Sequence, residues 1–397
     1  MAKLIEITGK ALSGEWGSDD TNGIGIPVLR TTNFTNEGVV NYQNVVTRII
    51  TKPNISEKYL RSGDIIIEKS GGSDKQPVGR VIYYDGPENT YLFNNFTGLL
   101  RVKDLSKWFP KYTFYALFAN YWRGGTRHFE NKTTGLHNLK IDDYVSRFEI
   151  SEVPLDQQMH ICDMLDKVHF LIDSRKQQLT ELDNLIKARF VEMFGDPVGN
   201  PMGWPTQTMK NASVRLSDGP FGSNLKSAHY TAKGVRVIRL GNIGCGYFND
   251  ADKSFIPEEH YEKLKKYTCR AGEIIIATLG DPNLRACLIP SYVEFGINKS
   301  DCVHCIPKAN LLNNQFVCQY INCPETLTLA SGMIHGQTRA RISSGQLADL
   351  PIFLPPMNLQ EQFAAFVEQT DKSKVVVQKA LDETQILFDS LMQEYFG

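Results

Sequence analysis

Several features of secreted and membrane proteins are missing from this chain of 397 residues. Its first residues, Met1 to Glu6, lack the apolar core of a signal peptide. No run of about 18 apolar residues occurs, so the sequence predicts no membrane span, and we expect a cytoplasmic protein. The net charge of −1 provides no global basic field, although acidic helices can offset basic patches elsewhere.

Cysteine is scarce in the first half of the chain, since seven of the eight cysteines follow residue 240. Without a secretion signal they are predicted to be reduced thiols. Cys302 and Cys305 have the spacing of half a zinc site, but the second pair, Cys318 and Cys323, has the wrong spacing. The sequence therefore disfavours zinc.

The common catalytic signatures are also absent. The sequence contains no P-loop, no Gly-x-Ser-x-Gly elbow, no His-Glu-x-x-His pair and no Gly-x-Gly-x-x-Gly that follows a strand and opens a helix. It has no methyltransferase motif of the Asn-Pro-Pro-Tyr kind and no nuclease-type carboxylate cluster. Together these absences favour a binding protein over an enzyme.

Two long stretches have the heptad pattern of paired helices. Between Ile161 and Met193, steps of four and three residues meet apolar side chains at eight of ten positions, without Pro or Gly in 156–194. Between Phe363 and Tyr395 the same steps meet them at seven of ten. The first helix would be about 58 Å long, so it needs a partner of similar length. The pattern predicts an intramolecular antiparallel coiled coil; two unrelated amphipathic helices are the alternative.

The chain also contains an internal repeat. A strand-like stretch that ends at Arg30 returns at Arg239, which is 209 residues later (239 − 30). The phrase Gly-Asp-Ile-Ile-Ile returns as Gly-Glu-Ile-Ile-Ile at the same distance. Near the helix starts, Gln158 pairs with Gln362 at 204 residues (362 − 158), and the Phe-Gly pairs that close the helices lie 202 apart. Four landmarks in one order predict a duplicated module.

Each copy has the same plan of short strands and turns followed by a long helix. We predict domains at 1–150 and 196–350, and spacer helices within 151–195 and 351–397. The predicted fold class is α+β, with two duplicated α/β target-recognition domains separated by a two-helix antiparallel coiled coil in a pseudo-twofold arrangement. Two similar binding surfaces on a stiff spacer suit a long, repeating ligand such as DNA.

Polar residues follow equivalent strands in the two copies. Arg30, Thr32 and Asn33 occupy this place in the first copy, and Arg239 and Asn242 occupy it in the second. Arginine can read guanine edges and asparagine can read adenine edges, so these residues are predicted to contact DNA. Alternatively, the two arginines pair with carboxylates inside each domain.

Three further loops could approach a phosphate backbone. Lys69 and Ser70 begin a glycine-rich loop after a strand, and the counterpart loop in the second copy contains Arg285. Ser223 and Lys226 lie in the loop Pro-Phe-Gly-Ser-Asn-Leu-Lys. We predict that these residues contact DNA; plain hairpin turns are the alternative for the first two loops.

A basic, polar segment precedes each long helix and is the strongest predicted DNA-contact patch. The candidate residues are Arg127, Lys132, Thr134 and Asn138 in the first copy and Thr338, Arg339 and Arg341 in the second. The alternative is that these segments are solvated surface loops.

With these motifs, the chain resembles the specificity subunit of type I restriction–modification systems. The resemblance covers essentially the whole chain and depends on the duplicated domain-and-helix plan. It also depends on phrases typical of that family: Pro220 to Lys226, Val237 to Ile243, Arg270 to Ile275, and Leu350 to Gln362.

The resemblance implies a chain without catalytic activity or a cofactor of its own, in which each domain reads one half of a bipartite double-stranded DNA target. It implies two methyltransferase subunits that use S-adenosylmethionine, and it leaves open two motor-nuclease subunits that use ATP and Mg. Gln158, Glu361 and Gln362 are predicted to contact these partner subunits. A coiled-coil scaffold that binds proteins and a self-sufficient enzyme are the competing functions.

Overall fold

The computed structural model describes residues 1–53, 55–133, 136–331 and 341–397, with the backbone alone for residues 132, 133 and 331. These residues divide into two compact units, one formed by Met1–Arg175 with Lys379–Gly397 and the other by Lys176–Gln378. The sequence prediction placed domains and helices in consecutive segments, whereas each unit combines one domain with half of each long helix. The reason is that apolar side chains of the helices belong to the domain cores.

The first unit is built from short strands around a buried helix. Its strands are β1 (Ala2–Lys3), β2 (Leu12–Ser13), β3 (Ser18–Asp19), β4 (Ile26–Leu29), β5 (Val46–Ile49), β6 (Asp64–Glu68), β7 (Ser70–Gly72), β8 (Val81–Tyr84), β9 (Leu92–Phe93), β10 (Thr97–Leu100), β11 (Glu130–Thr133), β12 (Leu136–Leu139) and β13 (Glu149–Ile150). Its helices are α1 (Leu4–Thr8), α2 (Pro110–Trp122), α3 (Ile141–Arg147) and the first half of α4 (Leu155–Phe194).

The second unit repeats this construction. Its strands are β14 (Thr206–Thr208), β15 (Ser213–Ser217), β16 (Val235–Ile238), β17 (Ser254–Ile256), β18 (Thr268–Arg270), β19 (Ile274–Ala277), β20 (Arg285–Leu288), β21 (Phe295–Asn298), β22 (Cys302–Pro307) and β23 (Pro351–Phe353). Its helices are α5 (Met209–Ala212), α6 (Glu258–Leu264), α7 (Asn314–Asn322), α8 (Pro324–Ser331), α9 (Ser344–Asp349) and the first half of α10 (Met357–Phe396).

The sheets of the two units have matching strand orders, which is the structural counterpart of the sequence repeat. The order β2-β10-β6-β8 in the first unit corresponds to β15-β22-β19-β20 in the second. In each unit another sheet contains one parallel pair, β4 with β9 and β16 with β21. The central strands β6 and β19 are buried runs of isoleucine, as expected for strands that are covered on both faces.

Within the first unit, the start of α4 packs against the end of α10. Leu165 and Ile172 are buried in the core of this unit. The ring of His169 lies 5.8 Å from that of Phe388, and the Arg175 guanidinium donates to the carbonyl of Ala380. As the residue numbers rise along α4 they fall along α10, so the two segments are antiparallel.

Within the second unit, the end of α4 packs against the start of α10 in the same sense. Asp183 forms an ion pair with Lys374 at 2.7 Å, and the ring of Phe190 lies 5.5 Å from that of Phe363. The antiparallel pairing predicted from the heptads is confirmed. α4 and α10 each contain 40 residues. Among the described residues, no helix is long and apolar enough to cross a membrane.

The Phe190 ring stabilises this helix–domain core, since it is fully buried against Phe316 on α7 as well as Phe363. We expect Phe190→Ala to lower the free energy of unfolding of this unit by about 3–5 kcal/mol, because the truncation leaves a cavity. Denaturant unfolding monitored by circular dichroism measures the change. The neighbouring Val191 is 43% exposed, so Val191→Ala is the matched control and should change stability by at most about 0.5 kcal/mol. Equal losses in both variants would contradict this account of the core.

Candidate nucleic-acid interface

A short 3₁₀ turn follows β4 in the first unit and carries three of the predicted DNA contacts. Within it, the Arg30 N–H donates to Asn33 Oδ1 at 3.0 Å. The Asn33 amide donates to the carbonyls of Asn41 and Gln43 at 2.9 and 3.1 Å. Asn33 is 1% exposed, so its side chain holds the loop in place and cannot reach a base edge. Thr32, between the two, is exposed.

The turn after β16 in the second unit has the same geometry. The Arg239 N–H donates to Asn242 Oδ1 at 2.9 Å, and the Asn242 amide donates to the carbonyls of Asn249 and Asp252 at 2.9 and 2.8 Å. Asn242 is fully buried. The prediction that Asn33 and Asn242 read adenine is therefore corrected, because both amides are used up inside the fold.

The two arginines that open these turns are half-buried at the surface. The Arg30 guanidinium donates to the Asn44 carbonyl at 2.9 Å. Arg239 forms an ion pair with Asp252 at 2.9 Å and lies over the ring of Tyr230. Arg239 thus has an internal carboxylate partner, although 37% of its side chain stays exposed, whereas Arg30 is held by a backbone carbonyl.

Arg285, predicted to contact DNA, instead serves the protein backbone. Its Nε donates to the carbonyl of Ile243 at 2.6 Å and its Nη2 to that of Leu240 at 3.0 Å. Its Nη1 donates to the carbonyls of Leu279 and Pro282 at 3.1 and 2.7 Å. Because the guanidinium donates to four carbonyls, it has no pair of adjacent N–H groups left to bind a base or a phosphate. The prediction that Arg285 contacts DNA is therefore corrected.

A small sheet in the first unit brings five other candidates together. The order β11-β12-β7 places Asn138 directly opposite Ser70. These candidates are Lys69, Ser70, Arg127, Lys132 (backbone only) and Asn138. The Lys69 ammonium donates to Ser13 Oγ at 2.7 Å, and its pKa is lowered by burial and then by the charge of Lys58. The exposed Arg127 donates to the carbonyl of Asp74 at 3.1 Å.

The acid in this basic segment, Glu130, is turned inward. Its carboxylate accepts from the Val78 N–H at 3.1 Å and lies 3.0 Å from His137 Nδ1. The Glu130 side chain is only 3% exposed. This acid of the basic segment is therefore buried inside the unit and is not presented to solvent.

In the second unit, three candidates lie in exposed segments. Ser223 and Lys226 are exposed in the loop after β15. Arg341 forms an ion pair with Asp301 at 2.7 Å and lies over the ring of Phe221, which is itself 50% exposed. The structure thus brings the Phe221 loop and the segment before the helix to one place. Thr134, Thr338 and Arg339 lie outside the described residues.

The predicted partner contact at Gln158 is corrected as well. Gln158 is fully buried. Its Oε1 accepts from the Phe109 N–H at 2.8 Å, and its amide donates to the carbonyls of Lys107 and Val153 at 2.9 and 2.8 Å. Gln158 therefore ties the first turn of α4 to the residues that start α2.

Its equivalent in the second unit is Gln360 rather than Gln362. Gln360 is also fully buried. Its Oε1 accepts from the Asn313 N–H at 2.8 Å, and its amide donates to the carbonyls of Leu311 and Pro355 at 3.0 and 2.8 Å. At the helix starts, equivalent residues of the two copies are therefore 202 positions apart (360 − 158). The Phe-Gly pairs that close the helices have the same separation. Glu361 and Gln362 are exposed and remain predicted partner contacts.

The cysteines of the second unit belong mainly to its core. Cys302 and Cys305 are fully buried in β22. Burial raises the pKa of Cys305 to about 12 and that of Cys302 well above its ordinary value. Among the described residues, no group of three or more His, Cys, Asp or Glu could hold a metal ion.

Comparison with known proteins connects this geometry to one family. Residues 2–184 match the family model described as "Type I restriction modification DNA specificity domain". The type I restriction enzyme MjaVIII specificity subunit of Methanocaldococcus jannaschii is 20% identical over 64% of this chain and 63% of its own length. The alignment thus spans less than two thirds of that relative.

Two solved structures share the fold over the whole chain. The crystal structure of the S subunit of a type I restriction–modification system from M. genitalium has a TM-score of 0.54 and 16% identity, and covers all of this chain and 95% of that one. A chain from a study of complex assembly and conformational transition of the type I R-M system has a TM-score of 0.57 and 15% identity, and covers all of this chain and 96% of that one.

The chain therefore shares the fold of a solved type I S subunit, and its residues 2–184 match the family model, so the resemblance predicted from its motifs is confirmed. The family match covers residues 2–184, which is less than half of the 397 residues. That family consists of DNA-recognition subunits that are not themselves catalytic.

Substitutions at Gln360 and Gln362 test whether Gln360, rather than Gln362, is the equivalent of Gln158. We expect Gln360→Ala to lower the free energy of unfolding by about 1–3 kcal/mol, because it leaves a buried N–H and two carbonyls without partners. Gln362→Ala, two residues further along the exposed face of α10, should be close to neutral. Thermal unfolding of the two variants gives the comparison. A neutral Gln360→Ala would contradict the proposed tie between helix and domain.

Proposed function

We propose that this chain is the DNA-recognition subunit of a type I restriction–modification complex, and that each unit reads one half of a bipartite double-stranded DNA target. The observation that carries the proposal is the duplication itself. Both units have the same sheet order and the same buried-asparagine turn after β4 and β16. A protein that repeats its polar turn in two domains is suited to a ligand that also presents two sites.

The accessible candidates fall into two classes by their chemistry. Arginine side chains held at a defined position are suited to base edges, because a fixed guanidinium fork matches the two acceptors of guanine. We assign Arg30, Arg239 and Arg341 to this class. Lysine and hydroxyl side chains on loops suit the phosphate backbone, where point charge and short reach suffice. The members of this class are Lys69, Ser70, Ser223 and Lys226. Arg127, Lys132, Thr32, Asn138, Thr134, Thr338 and Arg339 stay predictions of DNA contact.

The outward faces of the helices suit the partner subunits. Phe170 and Ile386 in the first unit are 69% and 66% exposed, and Val375 and Val376 in the second are 69% and 68% exposed. A partner protein that covered these side chains would remove their apolar surface from water, which is favourable. We propose that two methyltransferase subunits bind here, that they supply S-adenosylmethionine chemistry, and that ATP and Mg belong to motor-nuclease subunits where these join.

The DNA proposal is tested by selecting from a random duplex library with the complex of this chain and its methyltransferase subunits. We expect one motif with two specified halves separated by unspecified bases. Arg341→Ala should relax reading of one half by about 5–150-fold, the equivalent of about 1–3 kcal/mol for a lost bidentate base contact. The exposed Arg270→Ala, on the edge strand β18, is the control. A contiguous motif, or no motif at all, would overturn the proposal.

The docking proposal is tested on α4. We expect Phe170→Glu to weaken association with the methyltransferase subunits at least about tenfold, because a charge would then be placed in an apolar interface. Analytical ultracentrifugation of the mixed subunits measures this. His160→Glu adds a carboxylate at another exposed position of α4 in the same unit and should leave association unchanged. If the two variants behave alike, this face of the helix is not the docking surface.

A further inference from the structure

One arginine in each unit binds the backbone of the turn that follows β4 or β16. In the first unit this residue is Arg80, directly before β8. Its Nη2 donates to the carbonyl of Thr31 at 2.8 Å and its Nη1 to that of Phe34 at 3.0 Å. Its side chain is 17% exposed and lies 3.6 Å from the Glu68 carboxylate. The guanidinium thus spans the turn that contains Thr32 and Asn33.

In the second unit the same task falls to Arg285, the first residue of β20. Its Nη2 donates to the Leu240 carbonyl and its Nε to the Ile243 carbonyl, at 3.0 and 2.6 Å. These carbonyls are equivalent to those bound by Arg80, since Leu240 follows Thr31 by 209 residues (240 − 31) and Ile243 follows Phe34 by the same number (243 − 34).

The two arginines themselves are only 205 residues apart (285 − 80). Between the turn and the arginine, the second copy is therefore four residues shorter than the first. Both arginines nevertheless stand at the start of equivalent strands, because β8 pairs with β6 and β20 pairs with β19. The contact has persisted although the intervening loops differ in length, so it is a property of the turn that both units share.

This contact determines where the neighbouring arginine is presented. In each turn the buried asparagine ties the Arg30 or Arg239 N–H to the downstream loop. Arg80 or Arg285 binds the two carbonyls before and after that asparagine, which are those of Thr31 and Phe34 or of Leu240 and Ile243. A planar guanidinium that binds two carbonyls allows little rotation of the peptide groups between them. The exposed part of the turn is thereby held in one conformation before any DNA binds.

We propose that Arg80 and Arg285 are positioning residues for DNA reading, each acting on the half-target read by its own unit. The inference rests on the proposed function. Neither guanidinium touches DNA; each holds the turn from which Arg30 or Arg239 reaches the target. A change at one arginine should then relax the reading of one half-target and leave the other half unchanged.

The test uses the complex of the full chain with its methyltransferase subunits and a duplex that carries the selected target. Arg80→Lys and Arg285→Lys keep the charge but lose the planar guanidinium fork that holds the two carbonyls at fixed positions. Methylation rates are measured on targets with single base changes in either half. We expect Arg80→Lys to reduce discrimination about tenfold or more in one half only, within the range that a single base pair contributes. Arg285→Lys should do so in the other half only.

Arg101 provides the matched control in the first unit. Its guanidinium also bridges two carbonyls, those of Glu57 and Tyr59, and it forms an ion pair with Asp64 at 2.7 Å. It makes these contacts away from the turn after β4. Arg101→Lys should therefore lower the thermal midpoint to a similar extent as Arg80→Lys without changing discrimination in either half.

The outcomes separate the inference from the function on which it rests. If the unaltered complex selects no bipartite target, the proposed function fails. If it does, and Arg80→Lys relaxes both halves equally, relaxes neither, or acts no differently from Arg101→Lys, the positioning role is overturned. The unchanged half-target serves as the internal measure that the variant is folded. Should Arg80→Lys not fold, Arg285→Lys tests the same proposal in the second unit.

Discussion

The long helices constrain the rest of the structure, because a 40-residue amphipathic helix must bury an apolar face along its whole length. The buried face of each helix is shared between a partner helix and a domain. Leu165 and Ile172 lie in one core, and Phe190 and Phe363 lie in the other. The domains and the long helices therefore do not have separate cores. Each domain is completed by helix residues, and Gln158 and Gln360 tie the helix starts to the domains by buried hydrogen bonds.

Within each domain, the polar side chains in and around the turn after β4 or β16 fall into two groups. Some hold the backbone of the turn in place, and others are accessible to solvent. The side-chain amides of Asn33 and Asn242 donate to backbone carbonyls, and so do the guanidinium groups of Arg80 and Arg285. A buried carbonyl without a partner costs free energy, so a polar turn at a strand end needs such donors. The residue types that suit contacts with bases are thus also the ones that stabilise these turns.

The likeness to type I specificity subunits agrees with this division. At 15% and 16% identity the shared property is the fold, and the fold is what the buried asparagine, arginine and glutamine contacts maintain. Thr32, Ser223 and Lys226, by contrast, are exposed and take no part in these buried contacts. Substitution at such positions would change the surface of the unit without disturbing its core.

The amino-acid sequence by itself determined the duplication, the two long helices with their antiparallel pairing, and the resemblance to type I specificity subunits. These features follow from local periodicity and from repeated sequence motifs, which can be recognised without knowing which distant residues are in contact. The same information predicted that basic loops of the first unit would be candidates, and β7 and β12 indeed place Ser70 beside Asn138.

Only the tertiary structure decided which polar residues are free. Arg285 was predicted at the surface, but its partners Leu240 and Ile243 lie more than 40 residues away in the chain. Gln158 is predicted to contact a partner subunit, but its Oε1 accepts from the Phe109 N–H and its amide donates to the carbonyls of Lys107 and Val153 inside the unit. Hydrogen bonds between distant segments depend on loop lengths and on the approach of strands, and neither is encoded in the spacing of a motif.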